Sequence, residues 1–240
     1  MRLAVLLGLL TACPAIAEIT GASYEMPTNV YGHGVVPGGE FAGLEVTIDG
    51  TRTIGTSPLG AQAVYEDTAP RLADMDGDGS PELITVISYF DHGAAIRVWD
   101  EIPSDENPNN SSLVVLAEGT PIGTRHRWLA IVGAADLDGD GTVEIAYVDR
   151  PHLAKTLRVV RIEGDEMLEE VAVGGVTNHR IGETDIAGGI RNCNGKPEMI
   201  VASADWSALL AITYDGVSLN ARRIGTDTSR PAFAAAINCR

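Results

Sequence analysis

Asp74-Met75-Asp76-Gly77-Asp78-Gly79-Ser80-Pro81-Glu82 is an acidic loop of the form D-x-D-x-D-G-x-x-E, and residues 136–144 repeat it as Asp136-Leu137-Asp138-Gly139-Asp140-Gly141-Thr142-Val143-Glu144. A strand-like apolar run follows each copy, at residues 83–88 and 145–148. Calcium takes six to eight oxygen ligands at about 2.3–2.6 Å. Three carboxylates at alternate positions, a backbone carbonyl and a final glutamate supply such a set within one tight loop. The two copies therefore predict two bound calcium ions.

The expected ligands follow from the repeat position by position. They are Asp74, Asp76, Asp78, Ser80 and Glu82 in the first loop, and Asp136, Asp138, Asp140, Thr142 and Glu144 in the second. An EF-hand is excluded, because its bidentate glutamate stands at the twelfth loop position, where this chain has Thr85 and Tyr147. The alternative is a pair of metal-free Asx and glycine turns between strands.

The N-terminus has the pattern of an export signal. A basic start at Arg2, an apolar run at 3–12 and the A-x-A site Ala15-Ile16-Ala17 predict a signal peptide at residues 1–17. We therefore expect a periplasmic or secreted protein; the alternative is a lipid anchor at Cys13. No other segment reaches the roughly 20 apolar residues that span a bilayer, so no transmembrane segment is expected.

Charge and cysteine content narrow the possible partners. The formal net charge is −16, which argues against nucleic acid as a partner. Removal of the leader leaves Cys193 and Cys239, and an even pair in an oxidising compartment predicts one disulfide. The alternative is two free buried thiols.

A third, degenerate copy of the loop lies downstream. Aligning Glu198 with Glu144 puts Ile190 at the first acidic position and brings Arg191 and Lys196 into the loop. We expect this loop to bind no metal, because a cation would meet positive charge and too few oxygens. Strand-rich repeats of roughly 50–60 residues are typical of propeller blades.

The loops and the strands around them resemble the FG-GAP or VCBS repeats of integrin-α-like β-propellers and their bacterial relatives. The resemblance covers about residues 60–240, although no Phe-Gly…Gly-Ala-Pro signature is present and the chain is too short for seven blades. It implies an all-β fold in which residues 18–240 form a single small β-propeller of four blades. We expect pairing of a C-terminal strand at 231–237 with N-terminal strands near 31–36, 44–48 and 62–66 to close the ring. The alternative fold is a β-sandwich.

Strand direction predicts a second site on the face opposite the acidic loops. The candidate ligand-binding residues there are His126, Arg127, Trp128, Asp149, Arg150, His152, His179, Arg180, Asp205 and Trp206. With His33 and His92, all five histidines become candidates for this face; the alternative is that its Arg–Asp pairs are purely structural.

No nucleophile elbow, zinc-protease helix or P-loop occurs in the sequence. We therefore expect a monomeric calcium-binding module for an unknown protein, or for a small-molecule or carbohydrate ligand. The alternative is an extracytoplasmic hydrolase or lyase that uses the His/Arg face.

Overall fold

A computed structural model describes residues 18–50, 52–56, 62–103 and 111–240. The predicted leader at 1–17, with Cys13, lies outside these residues. The strands are β1 (Ile19–Pro27), β2 (Glu40–Ile48), β3 (Arg52–Thr56), β4 (Ala63–Glu66), β5 (Arg71–Ala73), β6 (Glu82–Tyr89), β7 (Gly93–Pro103), β8 (Ser111–Glu118), β9 (Leu129–Ala135), β10 (Glu144–Asp149), β11 (Thr156–Glu163), β12 (Glu166–Gly174), β13 (Val176–Thr177), β14 (Gly189–Asn192), β15 (Pro197–Ser203), β16 (Leu209–Tyr214) and β17 (Leu219–Gly225). The helix is α1 (Arg230–Ile237). The prediction of an all-β class is confirmed.

Three antiparallel meanders of four strand positions make up most of the molecule. Meander 1 runs β4/β5–β6–β7–β8, meander 2 runs β9–β10–β11–β12, and meander 3 runs β13/β14–β15–β16–β17. In meanders 1 and 3 the first strand is split, since β4 and β5 both pair with β6, and β13 and β14 both pair with β15. One parallel bridge, Glu166 to Glu118, joins meander 2 to meander 1.

The meanders pack face to face in chain order. Successive side chains of a strand point to opposite faces of a sheet, and the two faces of each meander accordingly enter different cores. In β6, Ile84 and Val86 pack against Ile131 and Ile145 of meander 2, whereas Leu83 and Ile87 pack against the N-terminal strands.

Meander 3 alternates in the same way. Met199 and Val201 of β15 pack against Val148 and Val159 of meander 2. Ile200, the intervening residue, packs against α1 on the other side.

The N-terminal strands cover the outer face of meander 1. β2 pairs with β1, β3 and β4, and Leu44, Val46 and Ile48 are almost fully buried. The strand expected near 31–36 is wrong, because those residues form an irregular loop. Gly32 and Gly34 have φ of 70° and 68° there, which an extended strand does not accommodate.

The C-terminal segment is a helix, so the predicted closure by a C-terminal strand is wrong. Ser229 caps α1 by accepting a hydrogen bond from the backbone N–H of Ala232, and Pro231 lies in the first turn; both favour a helix start. Phe233 and Ala236 are buried against Ile200 and neighbouring residues of meander 3. No helix in the described parts of the chain is long and apolar enough to cross a membrane.

The predicted disulfide is confirmed. Cys193 follows β14 and Cys239 follows α1, and their Cα atoms lie 5.7 Å apart. The bond ties the end of the helix to the loop that follows β14.

Candidate functional site

The two acidic loops have the same backbone hydrogen bonding. Asp74 accepts the N–H groups of Gly77 and Gly79 at 2.7 and 3.1 Å, and Asp136 accepts those of Gly139 and Gly141 at the same distances. The four glycines have φ between 80° and 94°, a region that residues with a Cβ rarely adopt. The loop sequence thus dictates the loop shape.

Each loop brings three carboxylates together. Asp74, Asp76 and Asp78 offer oxygens within 4.8 Å of one another, and Asp136, Asp138 and Glu144 do the same. Among the described residues no other group of acids, histidines or cysteines meets this criterion. A set of hard oxygens at this spacing fits a calcium-sized cation.

The final glutamates lie beneath the loops. Glu82 and Glu144 are about 1% exposed and accept the N–H groups of Met75 and Leu137. Burial, with neighbouring aspartates adding to it, raises the pKa of each to about 7. Ser80 and Thr142 donate backbone N–H groups to Asp78 and Asp140, each at 2.7 Å.

The third loop holds arginines where the others gather acids. Arg191 donates two hydrogen bonds to Oε2 of Glu198, at 2.8 and 2.6 Å, and Arg222 donates to Oε1 at 2.7 Å. Burial opposes ionisation of Glu198, but these hydrogen bonds outweigh it and lower its pKa. Two guanidinium groups and the adjacent Cys193 disulfide thus hold this loop.

On the opposite face, four histidines from separate segments gather around Trp128, and we name His33, His126, His152 and His179 the histidine cluster. His179 meets the indole edge-on at 4.9 Å between ring centroids, and His152 lies parallel to it at 6.4 Å. His33 and His126 stack on each other at 5.2 Å. The four imidazoles nevertheless do not bring three ring nitrogens to metal-binding spacing.

Glu66, which the sequence argument missed, anchors one side of the cluster. Its carboxylate bonds Nδ1 of His33 at 2.7 Å, and its backbone carbonyl accepts the indole N–H of Trp128 at 2.7 Å. Tyr31 was also missed. Its hydroxyl accepts the backbone N–H of His126 at 2.7 Å. No spacing in the sequence relates either residue to position 128.

The second pair of histidines forms a directed hydrogen-bond chain. Nε2 of His179 lies 3.0 Å from the carbonyl oxygen of Glu183; a carbonyl only accepts, so this nitrogen carries the proton. Nδ1 of His179 then accepts from Nε2 of His152, also at 3.0 Å. Burial lowers the pKa of His152 to about 4, with His179 as the next cause, and burial also lowers the pKa of His179.

Backbone strain concentrates on this face. Seven described residues other than glycine have left-handed φ values, and four of them lie here: His126, Arg150, Lys155 and Trp206. Such conformations cost of order 1–3 kcal/mol each and persist where the surrounding structure enforces them.

The remaining candidates divide between the cluster and its periphery. Arg180 stacks on Trp206 with its guanidinium carbon 3.6 Å from the ring centroid. Asp205 is exposed and bonds only Ser203 and Ser207 of its own hairpin. His92 contacts Asp91 and Tyr89 and lies outside the histidine cluster.

A cavity of about 380 Å³ lies between meanders 1 and 2, next to the cluster. Its polar end holds Asp149, which accepts two hydrogen bonds from Arg150 at 2.7 Å and one from Arg158 at 3.1 Å. Arg150 also lines the recess between the histidines, so the two spaces share this residue. The volume of the cavity between meanders 1 and 2 falls in the range of small-molecule binding sites.

Comparison with protein-family models finds no matching family. A search of curated proteins finds no match either.

Proposed function

We propose that the chain is an exported, calcium-stabilised protein of β-propeller type that binds a ligand on its histidine face. The observation that carries the binding role is the convergence of four histidines around Trp128, on a face where four residues have left-handed backbone conformations. A purely structural role would require neither strained hairpins nor imidazoles from four segments. Binding residues commonly lie on loops that a rigid scaffold positions.

Calcium is supported by the acidic loops. They share sequence, backbone hydrogen bonds and left-handed glycines, and each crowds three carboxylates within 4.8 Å. The third loop agrees with this interpretation by contrast. It lacks the aspartates of the first two loops, and Arg191 and Arg222 pair with its Glu198. Two ions in the first two loops would leave the histidine face free of metal.

A propeller is supported by the face-to-face packing of successive meanders and by the position of the acidic loop between the first two strands of each. The alternative is a β-sandwich, and the split first strands and terminal helix depart from a regular ring. Export is supported by the leader-like N-terminus, with which the disulfide is compatible.

An alternative function is a hydrolase or lyase, and one observation favours it. Nδ1 of His152 is left as an acceptor, because Nε2 carries the proton that it donates to His179, and a general base needs such an unprotonated nitrogen. In a binding module, replacement of His152 or His126 should reduce ligand affinity only in part. In an enzyme, replacement of one of these two residues should abolish turnover almost completely.

The test is a ligand screen read from the histidine ring signals in the NMR spectrum of the calcium-loaded protein. Probes should include neutral sugars, amino acids, carboxylates and phosphate monoesters. We expect at least one class to shift the signals of the histidine cluster while His92, outside it, stays unchanged. If no class shifts them, the proposed binding role is wrong.

A further inference from the structure

Two arginines beside the histidine cluster have no acidic partner among the described residues. Nine other arginines of the described chain lie within 4 Å of a carboxylate, and acidic residues outnumber Lys and Arg 33 to 17. Arg125 and Arg127 contact only backbone carbonyls, rings and a histidine. Two guanidinium groups in one loop of this acid-rich protein are thus not paired with any described carboxylate.

The contacts of Arg127 leave a specific edge open. Its Nη1 donates to the backbone carbonyl of His126 at 2.7 Å, and Nε and Nη2 have no partner among the described residues. These two nitrogens present parallel N–H groups, the geometry that binds a carboxylate or phosphate through two hydrogen bonds. Arg125 differs, because its Nε and Nη2 already bond His126 and the carbonyl of Tyr31.

Arg127 is one of the residues that line a recess of about 30 Å³, together with His33, His126, Trp128, Arg150, Pro151, His152 and Leu153. The space admits a group of a few heavy atoms rather than a whole ligand. Trp128 is only 2% exposed, so its indole adds little surface to the recess.

The acids near this recess are already engaged. Glu66 bonds His33, and Asp149 bonds Arg150 and Arg158. Lys155, whose charge contributes to lowering the pKa of His152, donates to the carbonyl of Ala204 and has no acidic partner. Glu40, beside His33, is likewise engaged, since it accepts the backbone N–H groups of Gly32, His33 and Gly34. Arg125, Arg127 and Lys155 thus remain as cations without a carboxylate partner among the described residues, and unpaired positive charge attracts anions.

We propose that the ligand presents an oxyanion, a carboxylate or phosphate group, to the Nε/Nη2 edge of Arg127. Arg127 is the specificity-determining residue, and His126 and His152 flank the bound group. This inference rests on the proposed binding role of the histidine face and names the chemistry that the face selects.

The test compares acetate, methyl phosphate and neutral acetamide at constant ionic strength, with the ring signals of His126 and His152 as the readout. One of the two anions should give saturable shifts, and acetamide should give none. Arg127→Gln should weaken anion binding at least tenfold, because it removes a charge-assisted hydrogen-bond pair. The affinity of the Arg127→Lys protein for the anion should lie between those of the unaltered and Arg127→Gln proteins, since lysine keeps the charge but not the paired geometry.

The matched control is Arg223→Gln. Arg223 lies exposed on β17 and, within the part of the chain that the structure describes, has no acidic partner and hydrogen bonds only the carbonyl of Gly225. It should bind the anion as the unaltered protein does. The direct Arg127 Nε–H signal of the unaltered protein gives a second measurement that needs no variant, and it should shift with the anion.

Equal affinity in the Arg127→Gln and Arg223→Gln proteins would overturn the inference, as would an unmoved Arg127 Nε–H signal. If the wider screen finds only neutral ligands for the cluster, the oxyanion is wrong and the binding role stands. If nothing moves the cluster, both fail.

Discussion

The Cys193–Cys239 bond should contribute a large part of the stability of the third meander. The cysteines are 46 residues apart, and in the chain-entropy model closing a loop of that length stabilises the folded state by about 4 kcal/mol. For a chain of this size each kcal/mol moves the melting temperature by roughly 2–4 °C. The Cys193→Ser/Cys239→Ser double variant should therefore melt about 8–16 °C lower.

Removal of the disulfide should weaken the packing of α1 in particular. The bond holds the end of α1, whose Phe233 is 3% exposed, and Arg191 donates to the carbonyl of Ala236 at 2.8 Å. Phe233→Ala should cost about 3–5 kcal/mol by itself. In the disulfide-free protein the helix is already loosened, so the same change should cost less there.

Calorimetric melting in saturating calcium, without reductant, tests both statements in a double-mutant cycle. A double variant that melts within about 2 °C of the unaltered protein would refute the entropic reasoning. Equal costs of Phe233→Ala in both backgrounds would show that the bond and the helix are not coupled.

The remaining predictions concern the metal loops and the histidines. Millimolar calcium should raise the melting temperature, since a ligand at a hundred times its dissociation constant stabilises by about 2.7 kcal/mol per site. Asp138→Ala should remove the part of this increase that comes from one site. The control Asp165→Ala, on an exposed hairpin, should leave the increase unchanged. Titration calorimetry should give two calcium ions per chain, and a third site would contradict the arginine-filled loop around Glu198. Because the pKa of His152 is depressed to about 4, the unfolded chain binds more protons between about pH 6.5 and 4. Calcium-saturated protein should thus lose stability as the pH falls through that window, and His152→Gln should lose less; parallel urea midpoints for the two proteins would count against this.

Short-range patterns in the sequence were sufficient for the meanders and the acidic loops. Strand alternation, glycine positions and the spacing of acids are local signals, and the structure follows them in β6, β10 and β15. The disulfide also followed from counting, since only two cysteines remain once the predicted leader is removed.

The misses have identifiable physical causes. Residues 231–237 are apolar and rich in alanine, which fits a central propeller strand. Ser229 and Pro231, however, are helix-start signals, and the segment forms a helix. The loop at 31–36 contains two glycines in left-handed conformations, which the apolar pattern did not reveal. Glu66 and Tyr31 reached the histidine cluster through tertiary packing, and no local pattern encodes such contacts.

The helix α1 also sets how far the stack of meanders extends. Each meander has two apolar faces, and one more meander could in principle be added wherever a face is open. The eight residues of α1 close the last such face, while β1 and β2 close the first. A chain cut before Arg230 would expose Ile200, Ala202, Leu209 and Ala211 on a single face. Because the other end stays covered, two such chains would join through the same surface and stop at a closed dimer rather than grow into a filament.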